Sequence, residues 1–360
     1  MKKILMLTNM YPSKKYPHYG SFVKNTEDIL NGSGYKVITI KMHKHNNRIL
    51  KLFSYMRFFI SYFFHAFKKY DYIYIHYISH SSIPVVKLNR LFKKSNIILN
   101  VHGNDIVPDR KEDYKNIIRS RKALKIASKV IAPSIYFKEV LVGDYNVDPN
   151  KVFIFPSGGV DNKYFGQDIS LEEAKKKVGL SLDRKYIGMV SRIEKDKGYD
   201  NLVKAFNDIY KDYPDYDLLI IGSGDEESNL NSLIEKYKLN SRIYRVPLVC
   251  QNELLYYYKA MDLFVLPTKR KSESLSLVGL EAFSSGTLSV ISTLYGPKEY
   301  ANNDNSVTYS SKSYSDLTDA LKKALKLNKK IKDKLISNAK KDALKYDKTK
   351  MSDILKNIFN

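Results

Sequence analysis

Two carboxylates, Glu273 and Glu281, bracket the segment Glu273-Ser-Leu-Ser-Leu-Val-Gly-Leu-Glu281. On one helix, eight steps of 100° would leave them about 80° apart, too far to converge on one atom. A better arrangement leaves Glu273 in a loop after Pro267 and starts a helix near Ser274 or Ser276, both competent N-caps. The backbone amides of Ser276, Leu277 and Val278 would then meet a phosphate at the positive end of the helix dipole. Glu281, a turn deeper, would be an acceptor-only carboxylate suited to the paired hydroxyls of a ribose. Glu273, at the mouth, would accept from hydroxyls of whatever the phosphate carries. The competing reading is a solvated loop Glu and a helix-surface Glu.

Four further groupings carry chemistry. Val190-Ser-Arg192-Ile-Glu-Lys-Asp-Lys197-Gly198-Tyr199 reads as a strand ending in Arg192, followed by a helix opened by Lys197-Gly198. It would place a guanidinium fork and an ammonium at one sheet edge, as a diphosphate requires. Ordinary loop charge is the alternative. Gly222-Ser-Gly224 follows an apolar strand and lacks the third glycine of a dinucleotide fingerprint, so by itself it is a tight turn. His102-Gly-Asn-Asp105 follows a strand of the first half, where His102 is open to three roles: general acid/base, substrate hydrogen-bonder or structural cap. Pro17-His-Tyr-Gly20 is a glycine turn that could let a ligand approach the backbone. Metal chemistry is not expected. No carboxylates cluster at a strand end, and His43/His45 and His76/His80 read as surface or core residues. Neither a Gly-x-Ser-x-Gly elbow nor a phosphate-binding P-loop sequence is present.

The elements that must position these groups alternate. Strands are expected at Lys3–Leu7, Lys36–Ile40, Tyr72–Tyr77, Ile97–Val101, Lys129–Ala132 and Lys151–Phe155. A second set is expected at Tyr186–Val190, Asp217–Ile221, Arg242–Val246, Leu263–Leu266, Leu288–Ile291 and Ser306–Tyr309. Strands alternating with helical patterns argue for parallel, doubly wound sheets. The two halves meet near 160–180, after the turn-rich Pro156-Ser-Gly-Gly-Val-Asp161 and at the charged helix Ser170–Val178. From Lys329 to Asn360 the pattern is two charged amphipathic helices.

With 360 residues, two domains are expected. The single Cys250 excludes an internal disulfide framework. The N-terminal apolar run is too short for a signal peptide and reads as the first strand, so a cytoplasmic protein is expected. The net charge of +23 is uneven: residues 1–170 carry 28 Lys and Arg against 12 Asp and Glu, the remainder 33 against 26. A basic first half points to an anionic partner, with compositional bias as the alternative. Within that half, 48–69 sets Leu52, Phe53, Met56, Phe59, Ile60, Phe63, Phe64 and Phe67 on one helical face, opposite Lys51, Ser54, Ser61, His65 and Lys68. Such a helix either lies in an anionic membrane interface or packs its apolar face on the sheet.

In order along the chain, the Gly20 turn, the His102 loop, the Arg192…Lys197-Gly198 loop, the Gly222 turn and Glu273-x7-Glu281 resemble the retaining glycosyltransferases of family 4. The resemblance covers nearly the whole chain. It implies the GT-B fold, an α/β architecture of two Rossmann-like, doubly wound parallel-sheet domains facing a central cleft, with C-terminal helices crossing back to the first. The implied domains are 1–165 for the acceptor, 166–335 for the nucleotide-sugar donor, and a returning helix at 336–360. Arg192 and Lys197 would bind the donor diphosphate, Glu281 its ribose and Glu273 its sugar, with His102 beside the transferred sugar. Gly20, Gly222 and the loop Ser274, Leu275, Ser276, Leu277 and Val278 would line the donor site. The base would pack near Ile243–Pro247, with Arg245 and Val246. Family members commonly read Glu-Gly-Phe-Gly where this chain has Glu273-Ser-Leu-Ser276, so the donor sugar is not fixed by the motif.

The implied reaction needs no metal or cofactor: a hexose passes with retention from a nucleotide-diphosphate sugar, UDP before GDP, to a lipid-linked or cell-surface glycan precursor. His102, Arg192, Lys197 and Glu273 are the expected catalytic residues. A peripheral position at the inner membrane face, through residues 48–69, is expected. Alternatives are a soluble protein O-glycosyltransferase or a non-catalytic nucleotide-sugar or glycan-binding subunit. Nucleic acid is not an expected partner.

Overall fold

The computed structural model describes residues 1–16, 19–89, 96–247 and 249–360; Pro17 and His18 of the Gly20 turn lie outside the described residues. The chain divides into two units, Met1–Gly158 with Thr349–Asn360, and Gly159–Lys348. Residues 336–348 therefore lie with the second unit, and the stretch grouped with the first starts at Thr349.

The first unit carries six parallel strands: β1 Lys3–Thr8, β2 Lys36–Lys41, β3 Tyr72–His76, β4 Asn96–Asn100, β5 Lys129–Ala132 and β6 Val152–Ile154, in the order β2-β1-β3-β4-β5-β6. The inner strands form because short β-branched or aromatic runs are buried on both faces, as a helix-covered parallel sheet demands, while the edge strands β2 and β6 are only partly buried. Ile4 to Leu7 of β1 are fully buried. The helix Lys348–Phe359 closes one face. Phe359 is fully buried against Tyr35, Tyr72 and Tyr74, and its carbonyl accepts from the Tyr72 hydroxyl at 2.6 Å.

The second unit repeats the plan with β7 Lys185–Val190, β8 Tyr216–Ile221, β9 Ile243–Val246, β10 Leu263–Leu266, β11 Ser289–Ser292 and β12 Val307–Tyr309, ordered β12-β11-β10-β7-β8-β9. The chain winds outward from β7 through β8 to β9, then restarts on β7's other side with β10. The switch point between β7 and β10 is where an open α/β sheet leaves a crevice at its carboxyl edge. In the first unit the corresponding point lies between β1 and β3.

The helix Arg48–Ala66 is apolar on two sides. Phe58 and Tyr62 are its buried residues, with Tyr55 and Phe59 partly buried against the same core. Most of the stripe read from the sequence instead faces outward: Leu52, Phe53, Met56, Ile60, Phe63, Phe64 and Phe67 are 45–64% exposed. Of the two readings left open for this stripe, packing on the sheet is the one the structure does not follow. The tyrosines are competent core residues, and they hold the helix down from the side that the charged positions partly share.

Candidate donor site at the second switch point

β7 ends at Val190, so Arg192 stands two residues into the loop rather than on the strand. Its side chain is 62% exposed, with a guanidinium N–H donating to Glu194 at 2.5 Å. The loop ends where Gly198, at φ +86°, caps the helix Tyr199–Ile209. A Cβ on Gly198 would lie 1.9 Å from the carbonyl oxygen of Pro267, so only glycine lets the loops after β7 and β10 touch. The Lys269 amide adds a bond to the Asp196 carbonyl at 2.8 Å.

That contact sets Lys197 against Glu273. The ammonium donates to Glu273 Oε2 at 2.7 Å, with both side chains largely buried. The Thr268 hydroxyl donates to the same oxygen at 3.1 Å, and the Ser276 hydroxyl to Oε1 at 2.9 Å. Burial pushes the Glu273 carboxyl up, but Lys197, Arg270 and the Ser276 hydroxyl outweigh it and hold it at about 2. It is ionised throughout the physiological range.

The helix begins at Leu277 and runs to Ser285, with Ser276 at the N-cap position. The sequence expectation that Ser276 caps with its side chain is corrected: at φ 66° it is left-handed, and its hydroxyl is turned to Glu273. The first-turn amides of the helix, Leu277 and Val278 among them, have no partner within it, as at any helix start. Ser274 lies on the same loop, while Leu275 is buried in the core and offers a ligand only its backbone. Gly296 donates to the Glu273 carbonyl at 3.3 Å and Tyr300 to that of Ser276 at 3.1 Å, which pins the loop from below.

Glu281 lies one turn into the helix, buried, and accepts from the Tyr258 hydroxyl at 2.9 Å. Burial pushes its carboxyl up to about 7, against the pull of the Tyr258 bond. Gly222 follows β8. Its amide donates to the Val246 carbonyl at 3.0 Å, and its own carbonyl accepts from Arg245 at 3.2 Å. Burial lowers the Arg245 guanidinium, whose Nε is buried without a partner among the described residues. Arg192, Lys197, Gly222, Arg245, Val246, Glu273, the 274–278 loop and Glu281 thus all belong to the carboxyl edge of one sheet.

His102 and Gly20 belong to the other unit. Gly20 starts the helix Ser21–Gly32, and a Cβ there would lie 2.4 Å from the Met10 carbonyl oxygen. The close approach that its glycine permits is therefore to the chain's own backbone. The His102 loop is built on Asp105, whose buried carboxylate accepts from the amides of Ile78, His102 and Gly103. The His102 ring packs on Phe22, centroids 4.3 Å apart, and its Nε2 meets His76 Nδ1 at 3.0 Å. Burial pushes both imidazoles down, so the pair is neutral. Among the described residues His76 Nε2 is buried with no partner. A buried N–H is rarely left orphaned, which favours the tautomer with the His76 proton on Nδ1, donated to His102 Nε2. His102 then carries its own proton on Nδ1.

The sequence reading missed His76, Thr268, Arg270, Tyr258 and Tyr300. Arg270, three residues after Pro267, donates to Glu194 at 2.8 Å and was legible as a third cation of the edge. Nothing local marks Tyr258, on the helix Gln251–Ala260, as a partner of Glu281.

Residues 170–342 match the model of "Glycosyl transferases group 1", and residues 16–161 that of "Glycosyltransferase Family 4". The chain belongs to the family 4, group 1 glycosyltransferases. It is 30% identical over 194 residues to the D-inositol 3-phosphate glycosyltransferase of Corynebacterium aurimucosum, a match covering 51% of this chain and 45% of that protein. The match thus spans about half the length of that curated relative. Among solved structures, sucrose-phosphate synthase from Thermosynechococcus elongatus superposes with a TM-score of 0.83 at 18% identity, over 100% of this chain and 98% of that one. Anabaena HepE, solved with UDP and glucose, gives 0.78 at 14% identity, over 99% and 98%. At these identities the likeness is one of fold, and that fold is GT-B.

Proposed function

We propose that this family 4 member is a retaining hexosyltransferase that uses a nucleotide-diphosphate sugar, with UDP as the favoured carrier and GDP second. The observation that carries this is the Lys197–Glu273 ion pair at the β7/β10 switch point, set beside the free N-terminus of the helix Leu277–Ser285. A diphosphate placed there meets three kinds of positive group: the exposed Arg192 fork, the Lys197 ammonium and the helix amides. Glu194 already binds Arg192 and Arg270 with its carboxylate, as an anionic ligand would. These fixed groups would stabilise the charge that develops on the leaving diphosphate, so this reading calls on no metal ion. Glu281 would hold the ribose hydroxyls, Glu273 would accept from the sugar, and Arg245 and Val246 would border the base. That HepE was solved with UDP and glucose supports the order UDP before GDP. His102 would present its Nδ1–H to the sugar and orient it.

The acceptor in this reading is a lipid-linked or cell-surface glycan precursor, met at an anionic membrane. No helix among the described residues is long and apolar enough to cross a membrane. The helix Arg48–Ala66 nevertheless exposes a row of large apolar residues, and between Asp28 and Asp71 the chain has no acidic residue and eight basic ones. This composition suits a helix lying in an anionic interface.

Thermal melting with nucleotides tests the donor half. UDP should raise the melting temperature most and GDP next, and silence toward every nucleoside diphosphate overturns it. A screen of nucleotide-sugars for slow donor hydrolysis then names the sugar.

A further inference from the structure

The outward face of the helix Arg48–Ala66 is not a flat stripe. Between it and the short helix Ile83–Leu88 runs a groove of about 440 Å³. One wall is Phe59, Ile60, Phe63 and Phe64, and the other includes Ile83 and Leu88. Both walls repeat at one-turn spacing, so apolar side chains line the groove along its length. Its volume lies in the range of about 300–1,000 Å³ of small-ligand sites. Among the described residues, the one charged member of its lining is Lys87, which is exposed.

We propose that this groove seats the hydrocarbon chain of a single phosphate-headed membrane lipid, with Lys87 at the headgroup end. The inference rests on the membrane-surface reading given above and is independent of the donor assignment. Three observations single out a lipid as the occupant. The exposed apolar row continues from Ile49 to Phe67, about 27 Å at 1.5 Å per residue, well past the groove. A bilayer interface meets such a length, whereas a peptide bound in the groove would leave most of it in water. The row is bounded by Arg48 and Lys51 at one end and by Lys68 and Lys69 at the other, all exposed. Their stems can reach along the apolar face while their charges stay with anionic headgroups. A second copy of the chain would set this acid-free basic segment against its own like, an arrangement that like charges oppose.

The experiment uses the full chain with vesicles of phosphatidylglycerol, and of phosphatidylcholine as control, each doped with a phosphatidylglycerol that carries a diazirine at mid-chain. After illumination, adducts are mapped by mass spectrometry. Adducts on both 59–64 and 83–88, dependent on the anionic lipid, are the expected result. Adducts confined to the outer residues Phe53, Met56 and Phe67 overturn the groove while leaving the membrane reading standing, and failure to float with vesicles overturns both. Ile83→Trp, which fills the groove from the short helix, should lose the groove adducts yet float as before; an unchanged adduct map overturns the proposal. A retained melting response of that variant to UDP shows that the fold and the donor edge are intact. A vesicle-free dimer that buries the same residues also overturns it.

Discussion

The two sheets reach their switch points by the same winding and end in opposite electrostatics. At the edge between β7 and β10, the side chains are ionic and already paired: Lys197 with Glu273, Arg192 and Arg270 with Glu194. At the carboxyl edge of the first sheet, where β3 and β4 end, the central groups are a neutral histidine pair packed on Phe22, beside a buried Asp105 that backbone amides satisfy. In the proposed reading, the second sheet would hold a charged ligand with preformed charges and the first would present an oriented imidazole proton. A preformed ion pair would not have to reorganise for a diphosphate.

The largest expected effect would break the ionic edge. Lys197→Ala leaves the Glu273 carboxylate buried without its cation, which should cost about 3 kcal/mol of stability, read by denaturant unfolding. It should also abolish the melting response to UDP; a variant that still responds refutes the diphosphate role. Arg192→Ala touches an exposed side chain, so it should weaken UDP binding about tenfold with stability unchanged.

Next comes a test of whether the edge's two carboxylates differ as their surroundings say. Glu281, raised from an ordinary 4.5 to about 7, holds its proton more tightly when folded than when unfolded. Its contribution is full below pH 4.5 and is lost as pH rises through 7, a change of about 3 kcal/mol at 1.36 kcal/mol per unit. Glu273 is depressed, so its contribution is present above pH 4.5 and fades only as pH falls toward 2. Stability measured between pH 5 and 8 should therefore lose part of its slope in Glu281→Gln. A wild-type slope in that variant would show that Glu281 titrates normally.

The smallest effect sharpens the neutral edge. His76→Phe keeps an aromatic ring and removes the orphaned Nε2, which offsets part of the cost of leaving His102 Nε2 unpaired, so the stability loss should stay within about 1–2 kcal/mol. It also frees His102 Nε2 from its donor, and turnover should fall about tenfold with KM little changed, the worth of one hydrogen bond. Nitrogen-15 shifts should show His102 with its proton fixed on Nδ1 in the parent and exchanging between nitrogens in the variant. A larger loss of stability with an unchanged tautomer would make His76 a core residue only.

All twelve strands were legible because parallel strands buried on both faces are continuous apolar runs, and their ends moved by one residue at most. The Lys197-Gly198 turn was legible too, since a glycine before an apolar helical pattern has few other readings. Arg192, read as the last residue of a strand, stands two residues beyond β7, in a loop whose Ser191 and Ile193 amides still bond to the Ile221 and Ser223 carbonyls. The Ser276 cap failed because the nearby Glu273 carboxylate, held ionised by Lys197, is a better partner for the hydroxyl than a backbone amide. The two-sided apolar helix was half read. Its spacing named the exposed stripe, and only packing showed that Tyr55, Phe58 and Tyr62 had taken the core.

By itself the sequence determined which residue types line each edge, in what order along the chain, and that two parallel sheets carry them. Hydrophobic period and turn chemistry are local properties, and they survive in the linear chain. Tertiary structure alone decided that Lys197 meets Glu273 across 76 residues, that Tyr258 meets Glu281 and that His76 meets His102. Each of those contacts depends on which strands and helices lie side by side: β7 beside β10, β3 beside β4, and the helix Gln251–Ala260 against Leu277–Ser285. Strand order is set by how whole helices and strands pack, so no window of sequence contains it.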